Sequence, residues 1–172
     1  MKISIYSREA VEQLLQNAFP SNTAVVSFYD PPSPKLPEDD GPVDYTGKCD
    51  HVFYIGAYDI DKDSLADFHL TYDTYFPEVT DLAKFIYDVK DNGLDLICQC
   101  EYGESRSAAC AAAVMEHFWK NGILVFADYR YCPNQMIFHK VYDALAAEGR
   151  MRNIRTVSYT HLYRSPMVNY VH

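Results

Sequence analysis

The sequence predicts an α/β fold with a central, mostly parallel sheet flanked by helices. Two observations carry this. Apolar runs of strand length alternate with segments whose apolar residues recur at helical spacing. A long helix-like stretch also follows directly on an apolar run, the order a parallel sheet requires. The 172 residues suit a single domain over 1–172, since domains commonly hold about 100–200 residues. Such a length buries a core without staples.

The elements follow in order. "KISIY" alternates and reads as a short strand, and Ser7 is placed to cap a helix with Ala10, Val11, Leu14 and Leu15 on one face. "AVVSFYD" is a buried strand. "PPSPKLPEDDGPVDYTG" is loop, rich in proline and acid. "HVFYIGAYDID" is the next strand, and "KDSLADFHLTYDTYF" reads as a short helix and a loop. After Pro77, Val79, Leu82, Ala83, Phe85, Ile86 and Val89 form a helical stripe closed by Asn92-Gly93. "LDLICQ" is a central strand, followed by a helix from Arg106 to Lys120 with Gly122 at its C-terminal stop. "ILVFADYRYC" reads as partly extended, and Pro133-Asn134 opens a last helix through Gly149.

The net charge of −9 is uneven. Residues 1–148 hold all 24 acids against 11 Lys and Arg, a balance of −13, whereas residues 149–172 hold four arginines and no acid. The acidic body excludes nucleic acid as a main partner. The basic C-terminal tail is expected to dock on that body and neutralise it. No apolar run reaches the length of a membrane span and no signal-peptide pattern opens the chain, so the expectation is a soluble, cytoplasmic protein without membrane contact. The five cysteines show neither a disulfide framework nor zinc-ligand spacing, and free thiols are expected.

Chemistry is expected beyond the carboxyl ends of the strands, where "CEYGESRS" joins strand to helix. Such a turn aims successive backbone N–H groups inward, and the helix dipole adds positive potential, so residues Glu101, Tyr102, Gly103, Glu104 and Ser105 can cradle an oxyanion. Gly103 supplies the freedom that the bend needs. Arg106 can bring a planar fork onto a phosphate. Cys100 would sit at the base, where dipole and guanidinium both favour the nucleophilic thiolate. Ser107 can hydrogen-bond the sulfur.

This C-x5-R-S pattern between an apolar strand and a helix resembles the signature loop of the cysteine-dependent protein tyrosine phosphatases. "QCEYGESRSAACAAAVM" is most similar to the dual-specificity branch, whose loop reads HCxxGxSRS, and "YRYCPNQMIFHKVYDAL" is similar to that branch's Pro-Asn segment and closing helix. The resemblance runs from about His51 to Leu145. It implies a dual-specificity phosphatase-like fold and hydrolysis of phosphotyrosine-like phosphomonoesters, with phosphoserine and phosphothreonine as further substrates. It also implies a thiophosphate intermediate and neither metal nor organic cofactor. The partner is then a phosphorylated protein or a small aryl phosphate. In the family's pattern the loop side chains radiate outward, so Glu101 and Glu104 are expected to repel polyanions without blocking the loop. Gln99 stands where the family carries histidine, which keeps open the alternative of a pseudophosphatase that binds phosphate without turnover.

The resemblance also implies a general acid on a loop before the cysteine. Asp61 is favoured because the strand "HVFYIGAYDID" resembles the one ending in this acid; Asp59 and then Asp73 are the alternatives, with Asp67 a further carboxylate on the segment. Cys98 and Cys110 read as packing, and Asn134 as a helix cap. Two other enzyme readings share parts of the pattern. "GESRS" resembles the nucleophile elbow of α/β-hydrolases with Ser105 as nucleophile, but its last position is Ser107 rather than glycine. Low-molecular-weight phosphatases and arsenate reductases share C-x5-R but carry it after their first strand.

Overall fold

The computed structural model describes residues 1–32 and 41–162, with side chains through residue 154. Its four strands are β1 (Ile3–Ser7), β2 (Thr23–Tyr29), β3 (Val52–Gly56) and β4 (Asp95–Cys100). They form one sheet in the order β1-β4-β2-β3, with every neighbouring pair parallel. The α/β architecture with a parallel sheet is the one expected. β4 lies inside the sheet because it can be buried on both faces: Leu96 through Cys100 are all buried.

Strand alternation sorts the core into two layers. Ala24, Val26 and Phe28 of β2 and Leu96, Cys98 and Cys100 of β4 share one hydrophobic cluster with Leu82, Ile86, Ala109, Val114, Ile137 and Leu145. Those partners belong to α2 (Val79–Asp91), α3 (Arg106–Trp119) and α5 (Gln135–Leu162). Val25 and Ile97 face the other way, onto Val11 of α1 (Arg8–Gln16) and onto Val43 and Tyr45 of the connection between β2 and β3. Ala108, Ala109, Ala111, Ala112 and Ala113 have no solvent exposure. Their small side chains let α3 lie close to both sheet and α5, so the residue that ends β4 and the first turn of α3 are held rigidly together.

Local signals decide several boundaries. The Ser7 hydroxyl accepts the Ala10 N–H at 3.2 Å and starts α1. Four expectations require correction. β3 stops at Gly56, not at Asp61, which leaves Asp59 and Asp61 in the loop beyond it. "ILVFADYRYC" is not extended but contains a short helix, α4 (Ile123–Phe126). Gly122 is not the stop of α3; Lys120 takes the left-handed conformation there (φ 57°), and Gly122 admits the Ala112 carbonyl where a Cβ would stand.

The fourth correction concerns the last helix, which runs through Gly149 to Leu162. A Cβ at Gly149 would meet the Tyr87 hydroxyl of α2, which also bonds His117 Nε2 at 2.8 Å. Arg152 stacks over the same tyrosine ring at 4.7 Å and pairs with Asp88, Asp91 and Glu148 at 2.7, 2.7 and 2.8 Å. Packing thus overrides the helix-stopping tendency of glycine. The tail expected from residue 149 is helix through Leu162, and its remaining residues 163–172 lie outside the described ones. Among the described residues, no helix is long and apolar enough to cross a membrane.

Candidate active site

The carboxyl ends of β2, β3 and β4 converge on the loop between β4 and α3. Cys100, the last residue of β4, is 2% exposed. Its Sγ lies 3.0 Å from the Ser107 hydroxyl, itself fully buried on the first turn of α3. The strand ending at Cys100 and the helix starting six residues later at Arg106 bring these two groups together.

The loop's amide directions follow from its carbonyls. Glu101 O accepts from Arg8 N at 3.0 Å, Glu104 O from Cys132 N at 2.9 Å, and Ser105 O from Ala109 N at 2.8 Å. In a trans peptide the N–H of the next residue points opposite to the carbonyl. The N–H groups of Tyr102, Ser105 and Arg106 are therefore turned away from Arg8, Cys132 and Ala109, as an anion nest at a helix N-terminus requires.

Gly103 sets how tightly the loop closes on β1. Its φ is +73°, and a Cβ would stand 2.7 Å from Ser7 N and 2.9 Å from the Tyr6 carbonyl carbon, both backbone atoms that cannot rotate away. Gly103→Ala is expected to lower stability by roughly 1–3 kcal/mol and to weaken phosphate binding by pushing the loop off β1. Thermal melts and phosphate titration of the full chain check both.

Arg106 is 3% exposed, with three of its five donor hydrogens engaged. Nη1 donates to Asp30 Oδ1 at 2.9 Å and to Ala57 O at 2.7 Å, and Nη2 donates to Asp30 Oδ2 at 3.2 Å. Nε is buried with no hydrogen-bond partner among the described residues. Because the guanidinium is planar, the two remaining hydrogens, on Nε and Nη2, lie along one edge. That edge is the fork that bidentate phosphate recognition uses.

The structure places the sequence-derived acids differently from the order of preference. Asp59 is the one that contacts the loop between β4 and α3: its Oδ1 accepts from Ser105 Oγ at 2.7 Å and from Asn134 Nδ2 at 3.0 Å, and its Oδ2 is 3.9 Å from Arg106 Nε. Asp61, favoured from sequence, instead accepts the Ser64 N–H and hydroxyl at 2.9 and 2.8 Å. The Ser64 hydrogen bonds hold its carboxyl below the usual carboxylate range. Asp73 and Asp67 are exposed, outside the cluster around Arg106. Asn134 does cap α5, accepting from Ile137 N at 3.1 Å, and its amide also grips Asp59 and, at 2.8 Å, Ile60 O.

Glu101 is partly exposed, its side chain 41% open to solvent. It pairs with Arg8 Nε at 2.8 Å, and Arg8 also donates to Gly41 O. Glu104 and Tyr102 are exposed, Tyr102 at 78%. Gln99 lies on the face of β4 opposite Cys100, where its Oε1 accepts from Ser27 Oγ at 2.6 Å and from the Tyr45 hydroxyl at 3.4 Å. An uncharged network thus occupies the position before the cysteine. Cys98 packs on α3, where a hydrogen bond with Cys110 and full burial push its thiol well above the usual range, as befits core packing.

Sequence reasoning missed Asp30. Its position directly after β2, on a strand adjacent to β4, was the available signal. Asn134 was assigned a cap alone, and its grip on Asp59 spans 75 residues, beyond any local pattern.

No protein-family model matches the chain, and no curated protein matches it. Solved structures do. One is a leucine rich repeat and phosphatase domain containing protein from Entamoeba histolytica, 12% identical over 87% of this chain and 89% of that one, with a TM-score of 0.46. A second is the human tyrosine phosphatase-like serine/threonine/tyrosine-interacting protein, 12% identical over 83% and 86%, TM-score 0.46. A third is PTPMT1, 11% identical over 88% and 95%, TM-score 0.45. The likeness is one of chain path, and the chemistry below rests on the geometry of the site.

Proposed function

We propose that this chain is a cysteine-dependent phosphatase that hydrolyses phosphotyrosine-like phosphomonoesters, and phosphoserine or phosphothreonine with them, through a thiophosphate intermediate. The observation that carries this reading is the Nε/Nη2 edge of the buried Arg106, which makes no hydrogen bond among the described residues and faces Asp59 Oδ2 at 3.9 Å, on the same loop as a buried Cys100 bonded to Ser107.

In the first step Cys100 Sγ attacks phosphorus, an S–P bond forms, and the P–O bond to the leaving group breaks. Asp59 delivers a proton to that oxygen. The equatorial oxygens, which gain charge, are met by the Arg106 edge and the loop N–H groups. Water then attacks phosphorus with Asp59 taking its proton, the S–P bond breaks, and inorganic phosphate leaves. Ser107, 3.0 Å from the sulfur, donates to the departing thiolate. The steps use no metal or organic cofactor.

Hydrolysis of p-nitrophenyl phosphate by the wild-type chain, with and without a metal chelator, tests the reading. Equal turnover in both is expected. Binding of inorganic phosphate without any hydrolysis would replace the enzyme by a phosphate-binding pseudophosphatase.

A further inference from the structure

We infer that Arg8 is a positioning residue that acts through Glu101: it cancels the charge of this loop carboxylate and so lets a loop with its own acid hold a phosphate dianion; this rests on the phosphatase reading above. Glu101 directly follows Cys100, so its carboxylate belongs to the same short turn as the N–H groups proposed to meet the anion. Left uncompensated, it would oppose further negative charge there. Arg8 Nε donates to Glu101 Oε2 at 2.8 Å. Its Nη1 lies 3.6 Å from Glu12 Oε1, and its Nη2 donates to Gly41 O. The Arg8 side chain is only 11% exposed, against 41% for Glu101, so the cation is the better buried of the pair.

The helix that carries this cation gives it no reason to be there. Arg8 opens α1, and a helix dipole disfavours positive charge in the first turn. The reason lies across the sheet. β1 and β4 pair in parallel with Ser7 opposite Cys100, so the residues that follow the two strands, Arg8 and Glu101, come side by side. The Arg8 backbone N–H donates to Glu101 O at 3.0 Å, which turns the Tyr102 N–H the opposite way. Arg8 therefore acts on the loop twice, through its backbone for direction and through its side chain for charge. Any substitution except proline keeps the first and changes only the second.

The test titrates inorganic phosphate calorimetrically into full chains of wild type, Arg8→Gln, Arg8→Lys, Glu101→Gln and the Arg8→Gln/Glu101→Gln double variant. Arg8→Gln is expected to weaken phosphate binding about fivefold and Glu101→Gln to tighten it about threefold, the scale of one partly exposed charge near the site. The double variant should return to within about twofold of wild type, and Arg8→Lys, which keeps the charge, should stay close to it. These differences should shrink in about 1 M salt, where the screening length falls to about 3 Å. A variant that is merely less folded lowers the fitted stoichiometry and the melting temperature without moving the affinity in either direction. Weaker binding in both Arg8→Gln and Glu101→Gln would make the pair a mechanical tether and overturn the assignment, as would unchanged affinity in both. Wild-type protein that binds no phosphate removes the phosphatase reading itself.

Discussion

Cys100→Ser is expected to lower turnover of an aryl phosphate by about 10⁴-fold or more, the scale of losing a covalent nucleophile, while inorganic phosphate still binds. The two halves of this result come from different parts of the loop. The proposed nucleophile is one sulfur, 2% exposed and bonded to Ser107, and a serine hydroxyl in its place is a weak nucleophile without an adjacent base. In the proposed mechanism phosphate affinity comes from the Arg106 side edge and the loop N–H groups, which Cys100→Ser leaves in place. Titration calorimetry with phosphate alongside steady-state kinetics separates them. Retained activity in Cys100→Ser, with Ser105→Ala inactive, would instead establish the hydrolase elbow weighed from the sequence.

Asp59→Asn is expected to cost about 10²-fold or more in kcat for phenyl phosphate, within the range of a general acid, and less for p-nitrophenyl phosphate. The reason is the leaving group. A basic phenolate needs the proton as its bond to phosphorus breaks, whereas nitrophenolate leaves without one. A scaffold role for Asp59, through Ser105 and Asn134, would lower both rates alike. Asp61→Asn and Asp73→Asn should change neither by more than about twofold, as for exposed substitutions away from a site. A steeper leaving-group dependence in Asp61→Asn than in Asp59→Asn would return the acid to the residue first favoured.

The contrast between these aspartates shows what was legible in the sequence and why. The proposed phosphate loop is local: C-x5-R-S, its glycine and the helix that follows are contiguous, so strand, turn and helix could be read from one stretch. The α/β layering was legible for the same reason, since β2 and β4 announce their burial by composition. Choosing between Asp59 and Asp61 required knowing that β3 ends at Gly56 and that Ser64 folds back onto Asp61. Asp30 lies 76 residues from its partner, and only the β1-β4-β2-β3 order brings β2 beside β4. The ion pair of Glu101 with Arg8 likewise joins elements 93 residues apart. Gly149 looked like a stop because its reason, the Tyr87 hydroxyl, belongs to another helix.

The central claim is that Cys100 carries the phosphoryl group. Mass spectrometry of wild-type and Asp59→Asn protein, acid-quenched during p-nitrophenyl phosphate turnover, tests it most directly. The account predicts a single phosphoryl adduct on the peptide containing Cys100, more abundant in Asp59→Asn because the water that resolves it lacks its base. Hydrolysis that proceeds with the adduct on Ser105, or in the variant with no adduct on Cys100, would contradict it.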